Sequence, residues 1–164
     1  MLRLGLALAA LVFAADQASK WYMDEVVRLP ERGHVPLFRA GPLGFDLTMV
    51  WNRGVTFGLL SGGAWWHALA LAALSLVVVA VLVAWMRRAE TRGVALALGA
   101  VVGGALGNVV DRLRWGAVFD FADAHAWGWH WYVFNLADAA IVLGVAWLLG
   151  DALLRPRPEA REPA

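Results

Sequence analysis

Asp120 lies in Val118-Phe119-Asp120-Phe121, a carboxylate wedged among large apolar side chains. Partial desolvation there disfavours the charge and raises the pKa. Asp138 is enclosed by Leu136, Ala137, Ala139, Ala140 and Ile141, and Asn135 stands three residues before it. A helix N-terminus favours an acid, but Asn135 already supplies a cap and Asp138 lies deeper, so capping alone leaves Asp138 unexplained. Two carboxylates brought together cannot both ionise readily, and they share a proton. Such a pair can do hydrolysis. The ionised member takes a proton from water, and the protonated member hydrogen-bonds the scissile carbonyl and steadies the developing oxyanion. Neither a metal nor a side-chain nucleophile is required.

Other polar residues interrupt apolar runs in ordered pairs. Asp16 and Lys20 are one helical turn apart, acid before base, the favourable order at i,i+4. Their plainer reading is a self-neutralising pair at a helix end, with Lys20 snorkelling outward. Asn108, Asp111 and Arg112 share a face at i, i+3 and i+4. They suit either a polar cap or a scaffold in which the planar fork of Arg112 holds a carboxylate or a carbonyl. Asp123, beside Ala122, Ala124 and His125, reads as a solvated loop residue. Asp123, His125 and His130 are too loosely spaced for a metal site, so no metal and no cofactor is expected. Cysteine is absent, which removes disulfides and thiol chemistry. Ser19, Ser61 and Ser75 have no nearby base, and there is no GxSxG, P-loop or GxGxxG pattern.

The elements that must position these groups are membrane helices. Of 164 residues, 61% are hydrophobic and 16% charged, where soluble domains carry about a quarter charged. A net charge of +1 gives no case for nucleic acid. A spanning helix needs roughly 20 mostly apolar residues, and segments 2–23, 64–86, 94–110 and 133–154 qualify. Gly99, Gly103 and Gly107 give the third span a nearly bare face that a neighbour can approach closely. Many of the ten tryptophans flank apolar runs, as interfacial belts do. Arg3 and the small pair Ala14-Ala15 also fit a secretory signal peptide, but Asp16, Gln17 and Lys20 follow directly. Four spans put both termini on one side, with Arg3, Arg87, Arg88, Arg92, Arg155, Arg157 and Arg161. Arg28, Arg32, Arg39, Arg53, Arg112 and Arg114 fall on the other, over much longer segments. The denser side is expected to be cytoplasmic. In the outer segment 24–63, residues 43–51 alternate with period two and read as a strand. Residues 35–38 can pair with it across the turn 39–42. The expected fold is an α-helical membrane protein of four transmembrane helices, with a small extracytoplasmic β-sheet between helices 1 and 2. It forms one domain over 1–154, with a second outer segment at 111–131 and a disordered cytoplasmic tail at 155–164.

In order along the chain, these polar islands resemble the lipoprotein signal peptidase (signal peptidase II) family, the membrane aspartyl proteases of bacteria. Asp16-Gln17-Ala18-Ser19-Lys20 resembles its DQxxK element, and Asn52-Arg53-Gly54-Val55-Thr56-Phe57-Gly58 its NxGxAF element. Gly107-Asn108-Val109-Val110-Asp111-Arg112 resembles GNxxDR, Gly116-Ala117-Val118-Phe119-Asp120-Phe121 resembles GxVxDF, and Phe134-Asn135-Leu136-Ala137-Asp138 resembles FNxAD. Each element is weak alone; five in order over nearly the whole chain are specific. Thr56 stands where the family usually has alanine and Phe119 where it has a smaller aliphatic residue, which touches only pocket shape. The resemblance implies Asp120 and Asp138 as the catalytic pair. It implies Asp16, Lys20, Asn52, Gly54, Asn108, Asp111, Arg112 and Asn135 as residues that support the pair or bind substrate. It further implies an inner-membrane enzyme acting at the outer face on a prolipoprotein whose lipobox cysteine carries diacylglyceryl, cleaving before that cysteine, and inhibition by globomycin.

That substrate suits the expected architecture. A signal peptide arrives as a membrane-embedded helix and must unwind to be cut, because helical amides are hydrogen-bonded. Strand 43–51 and the loop 52–58 can cover the site, and Asn52, Asn108 and Asn135 can hold the unwound backbone. Two other classes compete. A proton-coupled transporter would use intramembrane acids, but these acids gather at one membrane face and the second span has no deep polar residue. A non-catalytic subunit would use them only as caps, which leaves the desolvated Asp120 unexplained.

Overall fold

The computed structural model describes residues 1–54 and 65–154. The expected tail at 155–164, and Val55, Thr56, Phe57 and Gly58 of the second motif, lie outside the described residues. Among the described residues, four helices are long and apolar enough to cross a membrane: α1 (Leu2–Trp21, continued by a π-helical turn, Tyr22–Val26), α3 (Trp65–Met86), α4 (Arg92–Trp115) and α5 (Leu136–Leu154). A short α2 (Leu29–Arg32) leads from α1 into the strands.

The sequence cue that α4 is bare on one face has a direct consequence. A Cβ at Gly99 would meet the backbone oxygen of Gly5, one at Gly103 the backbone oxygen of Ala9, and one at Gly107 the carboxylate of Asp16, all on α1. A Cβ at Gly104 would meet the carbonyl of Ala137 at the start of α5. Missing side chains thus let α1 and α5 lie against the backbone of α4, where dispersion between close-packed atoms holds the helices together. α3 packs on α4 as well, and Met86, Leu98 and Val102 are buried among them. Thr91 caps α4, its Oγ1 accepting from the Val94 amide at 3.3 Å. Gly116 ends the helix at φ +70°, the left-handed position that glycine tolerates.

α4 runs five residues beyond the expected end at 110, so Asp111 and Arg112 belong to the helix and not to an outer loop. α5 begins at Leu136, three residues later than expected, because Phe134 is drawn into a bridge with Ala122. The expected strands are present as β1 (His34–Ala40) and β2 (Leu43–Asn52), antiparallel across Gly41-Pro42. The second outer segment adds β3 (Val118–Ala126) and β4 (Trp129–His130), giving a four-stranded antiparallel sheet in the order β1-β2-β3-β4. Leu29, Leu47, Phe119, Phe121 and Ala122 form its core. Trp51 packs edge-on to Trp115 of α4 at 5.5 Å between centroids and against Phe119 at 5.4 Å, fastening the sheet to the helix end.

Candidate active site

The two apolar-flanked aspartates meet where β3, α4 and α5 converge. Asp120 sits on β3 and is 1% exposed. Its Oδ1 accepts from Asn135 Nδ2 at 2.6 Å and its Oδ2 from Asn52 Nδ2 at 3.1 Å. Asp138 lies in the first turn of α5 and is half-buried. Its Oδ1 accepts from Asn108 Nδ2 at 2.8 Å. Its Oδ2 accepts from the Asn135 amide at 3.3 Å, while Asn135 Oδ1 accepts from the Asp138 amide at 2.9 Å. That reciprocal exchange is a capping box built from asparagine and aspartate. Capping and a role at the site therefore coincide in one residue.

Asparagine suits the space between two acids because it carries donors and an acceptor on one short side chain. Asn135 Nδ2 donates to Asp120 and, at 3.2 Å, to Asn108 Oδ1. Asn108 Oδ1 also accepts from Lys20 Nζ at 3.4 Å, and Asn108 turns its nitrogen to Asp138. Gly54 donates its amide to Asn52 Oδ1 at 3.2 Å, which orients the Asn52 nitrogen toward Asp120. Among the described residues, no lysine or arginine forms an ion pair with Asp120 or Asp138. Burial first, and then the charge of Asp138, push the Asp120 carboxyl up to about 7.

Behind this pair is a fully buried ionic layer. Lys20 Nζ lies 2.8 Å from Asp16 Oδ2 and 2.6 Å from Asp111 Oδ2. All three side chains are at most 1% exposed, so Lys20 does not snorkel; it bridges α1 to α4. Asp16 Oδ1 accepts from the Ala137 amide at 3.0 Å, tying α1 to the N-terminus of α5. Asp111 Oδ2 accepts from the Phe119 amide at 3.2 Å, fixing the residue before Asp120. Arg112 is half-buried; its Nη1 donates to the Asn108 carbonyl at 3.4 Å, and its charge acts on Asp138, Asp111 and Asp120.

All ten residues singled out from the sequence thus fall in one connected network. Gln17, quoted in the first motif but given no role at the site, is a further member. Its Nε2 lies 3.2 Å from Asp16 Oδ2, 3.2 Å from Asp111 Oδ1 and 3.4 Å from the Gly107 carbonyl. A neutral amide inside an apolar span was the available signal. Asp123 is a correction. It is not solvated but 4% exposed on β3, accepting from Thr48 Oγ1 at 2.9 Å and from His130 Nδ1 at 2.9 Å.

Two carboxylates held by neutral amides, one of them buried, form an arrangement suited to acid–base activation of water. The family model for signal peptidase (SPase) II matches residues 8–154. A lipoprotein signal peptidase of Methylobacterium sp. (strain 4-46) is 47% identical over 93% of this chain and 96% of its own. One of Methylorubrum extorquens (strain PA1) is 48% identical over 96% of this chain and 90% of its own. Two solved bacterial membrane enzymes share the fold, with TM-scores of 0.73 and 0.75 at 23% and 24% identity, covering 96% and 93% of this chain and 94% of each of theirs. With matches of that extent and identity, the chain belongs to the signal peptidase II family.

Proposed function

We propose that this signal peptidase II removes the signal peptide from diacylglyceryl-modified prolipoproteins through an Asp120/Asp138 pair. The observation that carries the assignment is the shared asparagine clamp: Asn135 and Asn108 join the two carboxylates, and burial lifts Asp120 to about 7. In this reading the pair shares one proton, assigned to Asp120 because burial raises its carboxyl pKa. The half-buried Asp138 carboxylate takes a proton from water as the water oxygen attacks the carbonyl carbon before the lipidated cysteine. The Asp120 hydroxyl gives its proton to the carbonyl oxygen, so no bare oxyanion accumulates in a poorly solvated site. Asp138 then passes its new proton to the amide nitrogen, and the C–N bond breaks. As the carbonyl re-forms, the diol returns a proton to Asp120, leaving a signal peptide carboxylic acid and a free cysteine amine.

The supporting residues divide by what they touch. Asn52, Asn108 and Asn135 donate to the carboxylates, which favours support of the pair over grip on substrate backbone. Gly54 orients Asn52. Asp16, Lys20 and Asp111 brace the three elements that carry the pair, and Arg112 supplies positive potential beside it. The reading includes one protease unit over 1–154 in a bacterial cytoplasmic membrane, with both termini in the cytoplasm, the site at the outer face, and a globomycin-type inhibitor competing for it. The test is incubation of the reconstituted protein with a diacylglyceryl-prolipoprotein. Asp120→Asn and Asp138→Asn are each expected to abolish release of the signal peptide while keeping the wild-type melting profile. Wild-type turnover by either variant would overturn the pair.

A further inference from the structure

Cross-strand partners share a face of a sheet, and the two faces here differ. One carries the aligned Gly44, His125 and His130 together with Asp46, which Arg39 grips at 2.5 and 2.8 Å. This polar face is hydrogen-bonded across its strands. The other aligns Phe38 with Phe45, and Leu43 with Ala126 and Trp129. Its inner half is covered by Met23, Val27 and Leu29. Its outer half is bare: Phe38 is 57%, Leu43 50%, Trp129 63% and Trp131 58% exposed.

The β3–β4 turn adds a second, independent sign. Trp127 and Gly128 both have positive φ, +51° and +78°, the geometry of a primed two-residue hairpin turn. Asparagine, aspartate or glycine normally fills the first position, since a bulky side chain is strained there. Trp127 takes that strain and still leaves its indole 80% exposed. Trp129 and Trp131 stack edge-on at 5.3 Å beside it. From Ala126 to Tyr132 the one basic side chain is His130, and it is paired with Asp123.

Chain continuity says what covers these rings. Tyr132 precedes the first residue of α5 by four residues, and four extended residues reach at most about 14 Å. α5 continues with bare apolar side chains, Val142 at 65% and Leu143 at 70%. Indoles partition to the headgroup level of bilayers, where the ring is dry and its N–H is wet. We propose that the β3–β4 hairpin is a membrane foot whose Trp127, Trp129 and Trp131 insert into the headgroup–acyl boundary of the bilayer around the spans. The foot joins β3 to α5, so its insertion sets the height of Asp120 and Asp138 against the lipid surface. That consequence rests on the proposed pair; the insertion does not.

The chain has no cysteine, so single nitroxide labels can be placed cleanly. Full-length Trp127→Cys and Trp131→Cys, labelled and reconstituted in phosphatidylcholine–phosphatidylglycerol vesicles, are compared with Val142→Cys as the bilayer reference and Glu31→Cys as the aqueous one. The readout is relaxation by oxygen relative to relaxation by a water-soluble nickel chelate. At residues 127 and 131 that ratio is expected to be several-fold above the Glu31 value. A ratio at both sites no higher than at Glu31 overturns the proposal. Trp131→Cys keeps the test valid if Trp127→Cys disturbs the turn. Prolipoprotein cleavage by the unlabelled protein reports separately on the pair, so the two readings fail independently.

Discussion

At the scale of residues, the site depends on which neutral groups touch which acid. Asn52 and Asn135 hydrogen bonds stabilise the ionised form of Asp120, against burial and the charge of Asp138. The mechanism needs Asp120 protonated, so turnover is expected to fall by about tenfold per pH unit as pH rises above about 7. Asn52→Ala removes a bond that lowers the Asp120 pKa, so its alkaline limb should move to higher pH; a pH–rate profile of signal peptide release checks the direction. Lys20 gives a different prediction. Lys20→Met leaves Asp16 and Asp111 buried without their cation, a loss of about 3–5 kcal/mol for such broken pairs, read as a lower melting temperature. Asp16→Asn and Asp111→Asn added to Lys20→Met should recover part of it. Asp120 and Asp138 were legible in the sequence because a carboxylate among large apolar residues is costly and demands a reason. Asp123 was not, because its local neighbours are alanine and histidine. What buries it comes from Thr48 on β2 and His130 on β4, pairings that local sequence does not carry.

At the scale of elements, glycine decides how near the site-bearing helices can lie. Asp16 reaches Lys20 and the Ala137 amide because Gly107 leaves room for its carboxylate. Gly99→Ala and Gly103→Ala would each press a methyl group on the backbone of α1 and are expected to destabilise by about 1–3 kcal/mol. Thermal unfolding in detergent measures this. Gly150→Ala on α5 is the control: its Cβ would meet nothing within 4 Å, and alanine favours helix, so it should be neutral or slightly stabilising. The four-apart glycine spacing announced a close helix contact. It did not announce the partner, since α1, α3 and α5 are all apolar enough to be candidates. The sheet was half legible for a similar reason. Period-two alternation marked β2, whereas β3 mixes Phe119, Asp120, Phe121 and Asp123 on a strand buried on both sides, where alternation is lost.

At the scale of the whole molecule, the polar network gathers at one end of a helix group that is otherwise apolar. It draws on the C-terminal half of α1, the C-terminal half of α4 and the N-terminal turn of α5, which four antiparallel spans bring to the same side. The sheet stands on that side too, because β1 and β2 follow α1 while β3 and β4 follow α4. Which side this is depends on the flanking cations. Of the arginines on the sheet side, Arg39 is neutralised by Asp46, whose carboxyl it holds down at about 2, and Arg112 faces the acids of the site. Neither acts as a free charge opposing translocation. On the opposite side Arg87, Arg88 and Arg92 flank a short connection between α3 and α4, where positive charge is most effective in setting topology. Both termini should therefore face the cytoplasm. A fluorescent protein fused after residue 164 is expected to fluoresce and alkaline phosphatase fused there to be inactive, with the reverse for fusions after Gly41 in the β1–β2 turn. An active phosphatase at the C-terminus would reverse the orientation and put the carboxylate pair on the wrong side for a substrate cleaved at the outer face.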